Sequence, residues 1–240
     1  MRILFRMKFV FLHPIKSLKF VISGESDYSK IDLETINKFV KSPKLIIEAG
    51  AADGVDTLRF AKFYPGAQII GLEPVLEQYT YLRKLCEENG NIKIINIALS
   101  KEEGTAKMYL GSSSGELGGL GSSSLLEPEK HHLYFPEIEF SRTQNVETIS
   151  LDKLIINYNE IDLLWLDIQG KELEVLSTSE EALCNKVRVL HLEISRVPLY
   201  VGMPREKEIR LFLQRSGFKC VVDRVGAISG NALYVNTKFC

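Results

Sequence analysis

The chain has 240 residues, 45% of them hydrophobic and 25% charged, with a formal net charge of −1. That mix suits one globular α/β domain with a sizeable core, and the near-zero charge argues against a nucleic-acid partner, which would need a basic stripe. The cysteines Cys86, Cys184, Cys220 and Cys240 form no C-x-x-C pair, which argues against a zinc site or disulfide framework and for a reducing, cytoplasmic setting.

Residues 1–43 read as a mostly helical extension. Residues 1–22 carry Arg2, Arg6, Lys8, Lys16 and Lys19, no acid, and an interrupted apolar run too short to span a bilayer. No small-residue cleavage site follows, so a signal peptide is not expected. The first reading is a helix packed on the domain; the second is weak peripheral contact with an anionic membrane surface. Ile31, Ile36, Phe39 and Val40 form an apolar stripe, and Pro43 ends the segment.

The domain proper is expected over 44–240. Leu45 to Ile47 suits a buried central strand, followed by Glu48, Gly50, Ala51, Asp53 and Gly54 and then by Val55, Leu58, Ala61 and Phe63 near helical spacing. Strand, glycine turn and helix open a nucleotide-binding α/β unit. A second apolar run, from Ile69, ends at Glu73-Pro74, which places Glu73 23 residues after Gly50, close to the roughly 20 expected of a ribose-binding acid. The next helix has Leu76, Tyr79, Tyr81, Leu82 and Leu85 as inward candidates, and a third strand is expected from Ile92 to Ala98. The rhythm predicts a Rossmann-like, doubly wound, mostly parallel sheet.

A β-rich insertion, at about 105–150, breaks that rhythm. Short strands at 105–110 and 145–150 flank a glycine- and serine-rich loop, 111–124, and His131-His132. Long loops of this kind are functional or disordered, so the segment is either a lid or a surface loop. Regular alternation resumes with a strand at Ile161 to Leu166, a turn at Gly170, a helix through Leu173, Val175 and Leu176, a strand at Val187 to Ile194, a helix at Glu206 to Arg215, and two closing strands, 218–222 and 232–235.

The acids choose the ligand. Glu48 stands where a dinucleotide fingerprint has its first glycine, and a carboxylate there repels a pyrophosphate. A cationic donor without phosphate, S-adenosylmethionine, fits instead. Because ligands bind beyond the carboxyl ends of the strands, Glu48, Glu73, Ala98, Asp167 and Glu193 are expected around one crevice. Glu73 would accept the ribose hydroxyls and Glu48 would face the methionine amine, while Gly50 and Gly54 let the backbone approach. Asp53 is assigned to helix capping.

The stretches 47–54, Thr57-Leu58, 71–74, 96–100, 123–125, 150–152 and above all 161–176, with Asp167-Ile-Gln-Gly-Lys-Glu172, resemble the FkbM-type family of class I S-adenosylmethionine-dependent methyltransferases. The likeness covers about 44–194. That family often has Asn where Ala52 stands and Glu where Gln169 stands. The resemblance implies O-methylation of a hydroxyl on a sugar, glycan, polyketide or lipid-linked saccharide, with Ala51 and Pro74 joining Glu48, Gly50, Gly54, Glu73, Ala98 and Asp167 at the cofactor. Asp167 is the leading catalytic candidate, as base or substrate-orienting group, with helix capping as the plain alternative. Glu193 and His191 follow on one strand face, then His131 and His132 from the lid. The lid and 196–204 are expected to select the acceptor. Asp167 and Glu193 with a histidine could hold a divalent metal, but no tight ligand spacing supports one. The alternatives are a degenerate scaffold domain and a nicotinamide-dependent oxidoreductase.

Overall fold

The computed structural model describes residues 30–113 and 119–239. The basic stretch 1–22 and the centre of the glycine- and serine-rich loop lie outside the described residues. Within 30–43 the only helix is α1 (Leu33–Ile36), capped by Asp32, whose carboxylate accepts from the Thr35 amide. The mostly helical expectation is therefore corrected over this part. Ile31, Leu33, Ile36 and Val40 are buried against the sheet while Phe39 is exposed, so docking of a short segment replaces helix length.

The core is a seven-stranded sheet in the order β3-β2-β1-β7-β8-β10-β9. Its members are β1 (Leu45–Ala49), β2 (Gln68–Leu72), β3 (Ile92–Ile95), β7 (Ile161–Leu166), β8 (Val187–Ser195), β9 (Phe218–Val225) and β10 (Ser229–Asn236). The five strands from β3 to β8 are parallel, and β10 runs antiparallel to both neighbours. All five residues of β1 are buried, as a strand covered on both faces requires. Burying one such aliphatic side chain stabilises by about 1.5–3 kcal/mol.

Helices cover both faces. On one, α6 (Glu172–Thr178), α7 (Glu180–Lys186) and α8 (Glu206–Arg215) deliver Val175, Leu176, Leu183, Ile209, Phe212 and Leu213 to Ile47, Leu164 and Leu166. On the other, α1 and α2 (Val55–Phe63) cover Ile46, Leu163 and Trp165. The helix α3 (Leu76–Leu85) buries Gln78 and Leu82, and it exposes Leu76, Tyr81 and Leu85. Its inward face is thus Val75, Gln78, Leu82 and Cys86; of the expected set Leu82 is buried, Tyr79 half-buried and the other three exposed. The apolar residues outnumber what one helical stripe can hide.

The third strand also differs. It stops at Ile95, and Ala98 begins β4 (Ala98–Ser100) in a separate three-stranded sheet, β4-β6-β5, with β5 (Gly104–Ser112) and β6 (Glu139–Ser150). The break is at Asn96, whose Nδ2 donates to the carbonyls of Glu73 (2.8 Å) and Pro74 (3.0 Å). An amide side chain competing for backbone partners ends the ladder. Gln144 of β6 also donates to the Pro74 carbonyl, at 3.2 Å. The insertion is therefore tied to the end of β2. Two short helices, α4 (His131–Tyr134) and α5 (Leu151–Leu154), complete this region.

Replacing Asn96 with Ala should unhook β2 from the insertion and lower stability by about 1–3 kcal/mol, the cost of stranding partly buried carbonyls. Denaturant unfolding measures it, and an unchanged midpoint would remove Asn96 as the cause of the break.

Candidate active site

The turn after β1 and the end of β7 are built against each other. The Asp167 amide donates to the Ala49 carbonyl at 3.0 Å, and the Gly50 and Ala51 amides both donate to Leu72. Gly50 has φ +87°, and a Cβ there would stand 2.0 Å from the Asp167 carbonyl oxygen. Only glycine satisfies both the left-handed backbone and that approach. Gly54, at φ +76°, is the N-cap of α2 and has no room for a Cβ beside Leu82. Asp53 lies one residue before the cap, so its assignment to helix capping is corrected: it braces the turn by accepting the Val55 amide at 3.3 Å.

Glu73 closes β2. Its carboxylate accepts the Ala52 and Val75 amides, each at 2.8 Å, and burial pushes it up to about 7. One lone pair on each oxygen is left for further donors. Glu48 differs from the expectation of an open position. It is 1% exposed, lies on the face roofed by α2, and accepts the Thr57 hydroxyl. Burial, reinforced by Asp56, holds it well above the ordinary carboxylate range.

Beyond β7 and β8 lies a second group. The Gln169 amide donates to Asp167 Oδ1 (2.6 Å) and Glu193 Oε2 (3.0 Å), and its carbonyl oxygen accepts the Tyr200 hydroxyl at 3.0 Å. Gln169 takes a left-handed φ of 52° to do so. Burial and the neighbouring Asp167 raise Glu193 well above its usual range, so it holds the proton that it shares with Asp167. Glu172 is buried at the start of α6 and accepts the Ile168 and Gly170 amides, which fixes the turn that carries Gln169. Sequence reasoning missed Gln169, Glu172 and Tyr200 as working parts. The run Asp167 to Glu172 contained the signal, since an acid just inside a helix start is a turn-closing residue.

Asp167 stands between two cavities. It lines one of about 70 Å³ with Asp56, Arg59, Trp165 and Asn231. Its partners Gln169 and Glu193 line one of about 190 Å³, where Leu199 and Met203 also come in from the 196–204 segment. His191 is corrected out of this group. It is 1% exposed and stacked flat on Trp165, and burial drops its pKa to about 3, so it is a neutral core ring. The strand face is as expected, but the Trp165 ring covers His191 there, with Arg59 of α2 close by. His131 is buried beside the larger cavity and His132 is exposed. Ala98 is packed with Val75, Met108 and Val146 in the insertion's own core, so it is not at the end of a main-sheet strand. Among the described residues, no group of three or more His, Cys, Asp or Glu side chains is set to hold a metal ion. Nor is any described helix long and apolar enough to cross a membrane.

A mostly parallel sheet with an acid-lined crevice at its carboxyl edge is the architecture of a class I methyltransferase. The comparisons narrow it further. The model described as the methyltransferase FkbM domain matches residues 48–220, and the chain belongs to that family. It is 26% identical over 212 residues to the 2-O-methyltransferase NoeI of Sinorhizobium fredii, covering 87% of this chain and 86% of that protein. It is 26% identical to the methyltransferase sdnD of Sordaria araneosa, over 76% of each chain. The crystal structure of the methyltransferase FkbM from Methylobacillus flagellatus superposes with a TM-score of 0.52 at 13% identity, a likeness of fold. It covers 88% of this chain, which spans about half (48%) of that protein. The family's activity is S-adenosylmethionine-dependent methyl transfer, and the nicotinamide alternative falls.

Gly50→Ala should cost at least about 1–3 kcal/mol through the left-handed strain alone and abolish S-adenosylhomocysteine binding by calorimetry. Wild-type affinity would show that the turn relaxes freely. The buried acids set a second expectation. Glu48, Glu73, Glu172 and Glu193 all have raised folded pKa values, so the folded chain binds more protons than the unfolded one from about 4.5 up to about 7. Stability of the ligand-free protein should therefore fall as pH rises through that window. Melting temperatures at pH 5, 6, 7 and 8 test this, and a rise across the series would contradict it.

Proposed function

We propose that this chain transfers the methyl group to a hydroxyl of a saccharide, with Asp167 as the group that takes the acceptor's proton. The position of Asp167, between two cavities and hydrogen-bonded through Gln169 to a protonated Glu193, carries this reading. The sugar-type acceptor is supported by the 2-O-methyltransferase relative.

The residues present fit the donor by the chemistry of their polar groups. Glu73 keeps free lone pairs suited to ribose hydroxyls, and the N-terminus of α2 at Gly54 stands beside it. Asp167 and Asp56 line the smaller cavity and supply negative potential suited to a sulfonium and an ammonium. When bound, S-adenosylmethionine supplies an electrophilic methyl and leaves as a neutral thioether. The acceptor oxygen supplies the electron pair and gives up its proton to the Asp167 carboxylate. Gln169 holds that carboxylate in one orientation, and Glu193 keeps its own proton, so only one of the two acids serves as base. The Tyr200 hydroxyl stands 3.0 Å from the Gln169 amide oxygen and 2.6 Å from the Ser122 carbonyl, and its one proton serves either of them. Alignment of the reactants supplies much of the remaining rate.

The setting we infer is reducing and cytoplasmic, in keeping with free thiols at Cys86, Cys184 and Cys220. Peripheral membrane contact through 1–22 stays a separate proposal, outside the described residues.

Asp167→Asn should lower kcat by about 10²–10⁴-fold, the usual contribution of a general base, while S-adenosylhomocysteine still binds. Methyl transfer to a hydroxylated saccharide panel, read by donor consumption, is the assay. A variant keeping a tenth of the activity would exclude Asp167 as the base.

A further inference from the structure

The larger cavity specifies more than a hydroxyl. It measures about 190 Å³, the liquid volume of roughly six waters, which is room for one sugar ring rather than a chain of them. Its lining falls into two kinds. Phe135, Leu199 and Met203 give apolar surface suited to the C–H face of a ring, and Ser122, Ser195 and Ser229 give hydroxyls. Among the described residues, no lysine or arginine lines it.

The acids on its wall are already engaged. Both oxygens of Glu172 accept backbone amides, while Glu193 accepts Gln169 at Oε2 and the Ser229 hydroxyl at Oε1. An anionic sugar would meet these carboxyls with no lysine or arginine among the described lining residues to balance it. His131 also lines the cavity, 2% exposed and packed among the rings of Phe135, Phe140 and Tyr200.

We infer that this cavity is the acceptor subsite and that it takes one monosaccharide unit without negative charge, excluding phosphorylated and uronic-acid sugars. This rests on the O-methylation reading and adds the acceptor's charge and size.

The test uses the full chain saturated with S-adenosylhomocysteine. Saturation-transfer NMR is recorded with methyl α-D-glucopyranoside, methyl β-D-galactopyranoside, methyl α-L-fucopyranoside, D-glucuronate and D-glucose 6-phosphate, on wild type and on Met203→Trp, which fills the cavity from a half-buried loop position. At least one neutral glycoside should bind tenfold or more tightly than either anionic sugar. Met203→Trp should weaken it at least tenfold and leave S-adenosylhomocysteine affinity, measured by calorimetry, unchanged. An anionic sugar binding best, neutral sugars insensitive to Met203→Trp, or no sugar binding alongside intact S-adenosylhomocysteine binding would each overturn the inference. Loss of S-adenosylhomocysteine binding in the wild type would instead overturn the methyl-transfer reading, and the inference with it.

Discussion

The Asp167 carbonyl oxygen occupies the space where any side chain at position 50 would begin. That close approach joins the turn after β1 to the end of β7, and with it the two halves of the crevice. The turn presents Ala52 to Glu73 and starts α2 at Gly54. The end of β7 presents Asp167 and, through the next turn, Gln169. The distance between donor-side and acceptor-side groups is thus set by backbone contact, which is stiffer than any side-chain bridge. Hydrogen bonds from Gly50 and Ala51 to Leu72 extend the same constraint to β2.

The site gathers carboxyls that water does not reach. Two of them, Glu73 and Glu172, are held by backbone amides, and Glu48 by a threonine hydroxyl. Glu193 faces Asp167 with only Gln169 between them. A glutamate at 169 would place a third acid within that hydrogen-bonded group. The glutamine in this chain can donate to both acids at once while accepting from Tyr200, a combination open only to an amide.

Much of the fold could be read from the residues because period and punctuation agree there. β7 and α8 have the expected limits, since the run 161–166 is apolar but for Asp162 and Gly217 stops the helix. The strand-end positions of Glu48, Glu73, Asp167 and Glu193 follow from the same rule. What was hidden depends on contacts distant in sequence. Nothing near Asn96 announces that its side chain will reach back to Glu73 and Pro74 and divide the strand. The apolar residues of α3 do not say which of them the insertion and sheet leave uncovered. His191 reads as a catalytic type, but Trp165 on the neighbouring strand turns it into packing. Gln169 reads as a lost acid until Tyr200, far along the chain, is seen beside it.

The single tryptophan of the chain, Trp165, lies face to face with His191, with ring centres 3.3 Å apart, and forms part of the wall of the smaller cavity beside Asp167. Its indole is at once shielded from bulk solvent and adjacent to the reacting groups. The native protein thus contains its own optical reporter. Emission from one fluorophore, with no label and no competing indole, will register events in the crevice and protonation of the stacked imidazole in the same signal.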